Sequence, residues 1–120
     1  MAREPVLECT FLIPVRRDAE LSDRARNSPA TWSWLKTALY ERFGGATRAP
    51  GLYEGFYRDP DTGQRVSDES REYTVAVPQS CLKQLRSLLS EACEVFAQKC
   101  IYLSVAGQVE FIEAKKHEPG

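Results

Sequence analysis

Seven apolar residues between Pro78 and Lys99 recur at helical spacing: Leu82, Leu85, Leu88, Leu89, Ala92, Val95 and Phe96. With about 3.6 residues per turn, they form one wide stripe along a helix. Such a helix has one face that must be covered and one that stays in water. The rest of the chain must therefore supply an apolar layer against it.

The flanking segments supply β-type surface. Val6 to Val15 is apolar, rich in β-formers and too short for a typical helix, so it reads as a strand with Pro14 at its margin. Tyr73, Val75 and Val77 alternate along a second strand, and Ile101 to Val105 forms a third. Between Ala46 and Tyr57, Pro50, Gly51 and Gly55 predict an irregular strand, bulged or bent at a glycine. Asp59-Pro60-Asp61-Thr62-Gly63 predicts the turn of a long antiparallel hairpin. Ala106-Gly107-Gln108 turns or bulges the chain before Val109 to Ile112.

A first helix starts at Ser28-Pro29, a cap followed by a residue whose φ is already helical. Its stripe is Trp32, Leu35, Leu39 and Phe43, and Gly44-Gly45 closes it. Trp34 lies off that stripe, where it can cover a sheet edge or mark a partner surface. Arg16 to Asn27 is polar and aperiodic and reads as a mobile loop. The order strand, helix, strand, strand, helix, strand predicts an α+β domain of the ferredoxin-like split βαβ type, an antiparallel sheet with two helices on one face. A more curved sheet closing around a dimer is the alternative. Residues 1–114 read as one domain and residues 115–120 as a flexible tail.

Composition narrows the function classes. Sixteen Lys and Arg face seventeen Asp and Glu, a net charge of −1, which argues against a basic nucleic-acid surface. No apolar stretch approaches the roughly 20 residues that span a bilayer, and none has the form of a secretory signal, so a cytoplasmic chain with no membrane partner is expected. Cys9, Cys81, Cys93 and Cys100 are widely spaced and read as reduced, mostly buried thiols. The single histidine, His117, lies in the charged tail, so no metal site and no cofactor are expected.

From Trp32 onward the chain resembles a small bacterial family known as domain of unknown function 3574. The matching stretches are Arg42-Phe43-Gly44-Gly45-Ala46-Thr47, Gly55-Phe56-Tyr57, Asp68-Glu69-Ser70-Arg71 and Phe96-Ala97-Gln98. Glycine stands where the family has a proline after Phe43, and Tyr57 stands where it has tryptophan. The resemblance implies a fold and a candidate surface, not a reaction.

No phosphate loop, dinucleotide fingerprint, nucleophile elbow or H-E-x-x-H motif occurs. The polar set Arg42, Thr47, Glu54, Glu69, Ser70 and Gln98 is the candidate ligand site. An arginine facing carboxylates, with a hydroxyl and an amide nearby, orients a small polar or anionic ligand. The plain alternative has Arg42 and Gln98 capping helix ends while the glutamates solvate a strand. Tyr53, Phe56, Tyr57, Tyr73 and Tyr102 suit core packing or a dimer interface better than base stacking, because no RNA-recognition motif accompanies them. Two functional expectations follow. One is a binding or assembly module that self-associates through its sheet as a homo-oligomer. The other is a small-ligand enzyme or sensor using the Arg/Glu/Gln pocket.

Overall fold

The computed structural model of the chain describes residues 3–115. Residues 116–120 of the expected tail, with His117, lie outside the described residues. The elements are β1 (Val6–Pro14), α1 (Pro29–Phe43), β2 (Thr47–Arg48), β3 (Tyr53–Arg58), β4 (Arg65–Pro78), α2 (Leu82–Val95), β5 (Cys100–Val105) and β6 (Gln108–Glu113). A 3₁₀ turn, Gln79–Cys81, leads into α2.

The strands make one antiparallel sheet in the order β2-β4-β1-β5-β6, with β3 also paired to β4. Ser70 lies across from Pro14 of β1 and Tyr53 of β3, so β3 extends the β2 edge. The expected irregular strand is thus two strands. The interruption falls at residues 49–52, where Gly51 adopts φ +76°, and not at Gly55, whose pairing with Asp68 is regular. Left-handed backbone at Gly51 suits glycine because no Cβ meets the carbonyl.

Local chemistry accounts for the other breaks. Ser28 Oγ accepts from the Thr31 amide at 3.3 Å, and Gly44 closes α1 at φ +82°. Asp59 Oδ1 accepts from the Asp61 amide at 2.8 Å, which tightens the hairpin turn. Ala106 and Gly107 both take positive φ and join β5 to β6 in a two-residue turn.

The core lies between the sheet and both helices. Cys9, Phe11 and Ile13 alternate down β1, Tyr73, Val75 and Val77 down β4, and Ile101, Leu103 and Val105 down β5. Against them α1 buries Leu35, Ala38 and Leu39, and α2 buries Leu85, Leu88, Leu89, Ala92 and Cys93. Trp32 and Phe43 of the expected α1 stripe are half-buried. Trp34 packs edge-on to Phe96 at 6.4 Å, so it covers the core.

Arg16 to Asn27 is tied down at several points. Arg16 bridges Arg26, the Asp18 amide donates to Ala97 O at 2.9 Å, and Glu20 pairs with Lys99, which also reaches Asp61 in the hairpin turn. Among the cysteines, Cys9 and Cys93 are buried, Cys81 is half-buried and Cys100 is exposed. Burial pushes the Cys93 thiol up to about 12, which keeps it protonated and unreactive. No helix among the described residues is long and apolar enough to cross a membrane.

Candidate functional site

The sheet alternates its side chains between two faces. On β4 the helix-facing series is Arg65, Ser67, Glu69, Arg71, Tyr73, Val75 and Val77. Its last three members are buried, whereas the first three lie past the helices and are exposed. Arg71 sits at the junction, opposite Ile13 of β1.

A cleft opens at that junction, between α1 and the β2–β4 edge. Its volume is about 480 Å³, inside the range of roughly 300–1,000 Å³ usual for small-molecule sites. Trp32 and Tyr73 make its aromatic floor, stacked with centroids 6.5 Å apart and planes 20° off parallel. Phe11 backs Tyr73 from the core at 5.4 Å. Lys36, Arg48 and Arg71 line the walls. The Arg71 guanidinium lies 4.0 Å above the Trp32 ring, a cation–π contact. Among the described residues none of these three cations forms an ion pair.

A second cavity, about 370 Å³, adjoins the first and shares Trp32 and Arg71 with it. Val15, Pro29 and Leu52 give it apolar wall, and Arg26 and Asn27 complete the polar side. Asn27 is 7% exposed. Its backbone N–H donates to Val15 O at 2.9 Å and its side-chain Nδ2 donates weakly to Phe96 O at 3.5 Å. Asn27 Oδ1 is buried without a hydrogen-bond partner among the described residues.

The six residues singled out from the sequence divide into separate groups. Glu54 and Glu69 come together, directly opposite across β3 and β4 on the face that carries Arg71. Gln98 is buried, donating to Arg16 O at 2.8 Å and to Phe96 O at 3.1 Å. It thus shares an acceptor with Asn27. Thr47 and Ser70 lie on the opposite face of the sheet, since Thr47 pairs with Thr74 and Ser70 with Tyr53. Arg42 joins the two helices through Glu91 at 3.3 Å, an exposed ion pair.

Trp32, Tyr73 and Arg71 of the cleft and Asn27 of the second cavity stand outside that set. Trp32 and Tyr73 read as core from spacing alone. Arg71 did carry a signal, a cation two residues from Tyr73 in the inward series of a strand. Nothing in the sequence marks Asn27.

On the hairpin, burial holds the Asp68 carboxyl above the usual carboxylate range, against the pull of Arg24. Burial likewise raises the nearby Tyr57 phenol, and the Asp68 charge adds to it.

No protein-family model matches the sequence, and no curated protein matches it. The fold is similar to that of solved structures, among them two of phage SAM lyase. One is a phage SAM lyase in complex with S-methyl-5′-thioadenosine, with a TM-score of 0.68, 17% identity and 98% of each chain covered. The other is a phage SAM lyase in its apo state, with a TM-score of 0.61 at the same identity and coverage.

Proposed function

We propose that this chain is a small-ligand enzyme or sensor whose ligand is an adenine nucleoside with sulfur at its 5′ carbon, of the S-adenosylmethionine or S-methyl-5′-thioadenosine type. The observation that carries the reading is the cleft itself. An aromatic floor of Trp32 and Tyr73 suits a nucleobase, and the lining cations, which form no ion pair among the described residues, suit a carboxylate. The carboxylate pair Glu54 and Glu69 stands on the same sheet face. The fold likeness to a lyase that holds a thioether nucleoside agrees with this choice of ligand class. The finer placing of the fold as ferredoxin-like split βαβ, with β6 added at its edge, belongs to the same proposal. So do a cytoplasmic location and membership of the domain of unknown function 3574 family, whose Glu69-Ser70-Arg71 stretch runs beside the cleft.

The chemistry assigns roles. Freeing S-methyl-5′-thioadenosine from S-adenosylmethionine breaks the bond from sulfur to the methionine side chain. The electron pair passes to sulfur and neutralises the sulfonium. The remaining four-carbon unit then loses a proton to a base or closes on its own carboxylate. A carboxylate held against the sulfonium favours the reactant over the transition state, because the positive charge fades as the bond breaks. Glu54 and Glu69 therefore fit this reaction as proton acceptors or substrate-orienting groups, not as charge partners of sulfur.

Incubation with S-adenosylmethionine, followed by chromatography for S-methyl-5′-thioadenosine, tests the reaction; calorimetry with both compounds tests binding. Product is expected from the wild type, with a loss of roughly 100-fold for Glu69→Gln. If neither compound binds and no product forms, the reading is wrong. Binding without turnover leaves the sensor.

Self-association is a second reading, favoured by the sheet face away from the helices. Phe111 and Val109 there are 64% and 52% exposed, and Tyr102 packs edge-on to Phe111 at 6.0 Å. Sedimentation across a concentration series checks it; a strict monomer at high micromolar concentration removes it.

A further inference from the structure

The cations of the first cleft outnumber what one carboxylate can answer. Lys36, Arg48 and Arg71 come from three different elements, α1, β2 and β4, and gather around one aromatic pair. Lys36 lies one turn beyond Trp32 on α1, so the two share a side of that helix. Arg48 stands directly opposite Tyr73 across the β2–β4 ladder. Arg71 precedes Tyr73 by two residues, which puts it on the same face of β4 and diagonal to Arg48.

These groups are within reach of a ligand. Lys36 and Arg48 are exposed, and Arg71 is partly so. Among the described residues no Asp or Glu lines the cleft. Glu69, next to Arg71 in the inward series of β4, and Glu54 across from it stay outside the lining and form no ion pair with the three cations. The chain as a whole carries a net charge of −1, so this local excess of positive charge is not a general one. Like charges gathered without a counter-charge repel, and an anion that enters the cleft relieves all three at once.

Charge and shape then narrow the anion. A carboxylate brings one negative charge and pairs with one guanidinium. A phosphate monoester brings nearly two at neutral pH and offers three acceptor oxygens, one for each cation. Free phosphate would leave the floor of Trp32 and Tyr73 unused, whereas an ester with a planar ring covers it.

We propose that the cleft also takes a nucleoside 5′-phosphate, with its phosphate oxygens on Lys36, Arg48 and Arg71 and its nucleoside along Trp32 and Tyr73. The choice of adenosine as the nucleoside rests on the reading above; the phosphate site rests on the cations alone. Adenosine 5′-phosphate and the thioether nucleoside then compete for one floor, so the adenine nucleotide regulates access to the cleft.

The test is calorimetry on the full chain with five probes: S-methyl-5′-thioadenosine, adenosine 5′-carboxylate, adenosine 5′-phosphate, ribose 5-phosphate and inorganic phosphate. Affinity should rise from the neutral nucleoside through the carboxylate to the phosphate, with adenosine 5′-phosphate at least about tenfold tighter than S-methyl-5′-thioadenosine and displacing it. Lys36→Gln and Arg48→Gln should each lower the affinity for adenosine 5′-phosphate roughly tenfold. Both side chains are exposed and make no ion pair among the described residues, so both variants should fold.

Adenosine 5′-phosphate binding no tighter than the thioether nucleoside overturns the phosphate site and leaves the nucleoside reading intact. Ribose 5-phosphate binding through Lys36 and Arg48 while S-methyl-5′-thioadenosine does not bind keeps the phosphate site and removes that reading. The carboxylate matching the phosphate overturns the proposal, as does inorganic phosphate matching the esters. Full affinity for adenosine 5′-phosphate in both variants, or no binding by any probe, overturns it too.

Discussion

The two halves of β4 share one backbone and one ladder yet live in different surroundings. From Tyr73 to Val77 the helix-facing residues are buried beneath α1 and α2. From Arg65 to Glu69 the same face carries exposed polar side chains, and Phe56 opposite is 68% exposed with the Arg65 guanidinium 5.0 Å from its ring. Both halves have partners in register, β1 for one and β3 for the other, so hydrogen bonding does not separate them. Coverage does. The helices cover only the length of sheet they can reach, and the uncovered remainder keeps a face free for polar chemistry. Arg71 and the cleft stand where one regime gives way to the other.

The contrast is broken most forcefully in the covered half. Leu89 of α2 is fully buried in the cluster that holds Val75 and Val77. Leu89→Ala should lower stability by about 2–5 kcal/mol in denaturant melts, from lost burial and the cavity left behind. A value near that of a surface substitution would mean that α2 does not close the sheet in this orientation.

Asp68, half-buried on the hairpin with Oδ1 unsatisfied among the described residues, gives an intermediate effect with a definite pH sense. Burial raises its folded pKa above the unfolded value, so the folded state holds the proton more tightly. The associated stability is present below the ordinary pKa of about 4 and is lost as pH rises through the folded value. Asp68→Asn should therefore match the wild type in acid and exceed it near neutrality. Melts at both pH values check this; an advantage that shrinks toward neutrality would remove burial as the cause.

The smallest effects belong to the exposed surface. Glu69→Gln on the uncovered half and Lys83→Ala on the outer face of α2 should each change stability by about 0.5 kcal/mol or less. Glu69→Gln sharpens the comparison, because its loss should appear in product formation and not in the melt. A large fall in stability would make Glu69 part of the fold instead.

How much was legible follows from the distance over which each feature is decided. The α2 stripe, the Ser28 cap, the Gly44 stop and the Asp59–Gly63 turn are settled within a few residues, by periodicity and by the steric needs of single positions. Tyr73, Val75 and Val77 announced their burial by alternation alone. Among the candidate ligand residues, only Glu54 and Glu69 meet directly, through a hairpin whose turn fixes their register. The cleft depends on contacts that no local pattern encodes. Arg71 lies over Trp32 because β4 pairs with β1 in one register while α1 packs on that face at one rotation. Asn27 is buried because Phe96 and Gln98, some seventy residues later, come back against the loop that holds it. Side-chain types and spacings determine which elements form and which faces are apolar, since those are short-range consequences of backbone geometry. Which polar residues share a cavity was decided only by tertiary packing, since a register or a rotation is a property of two distant segments together.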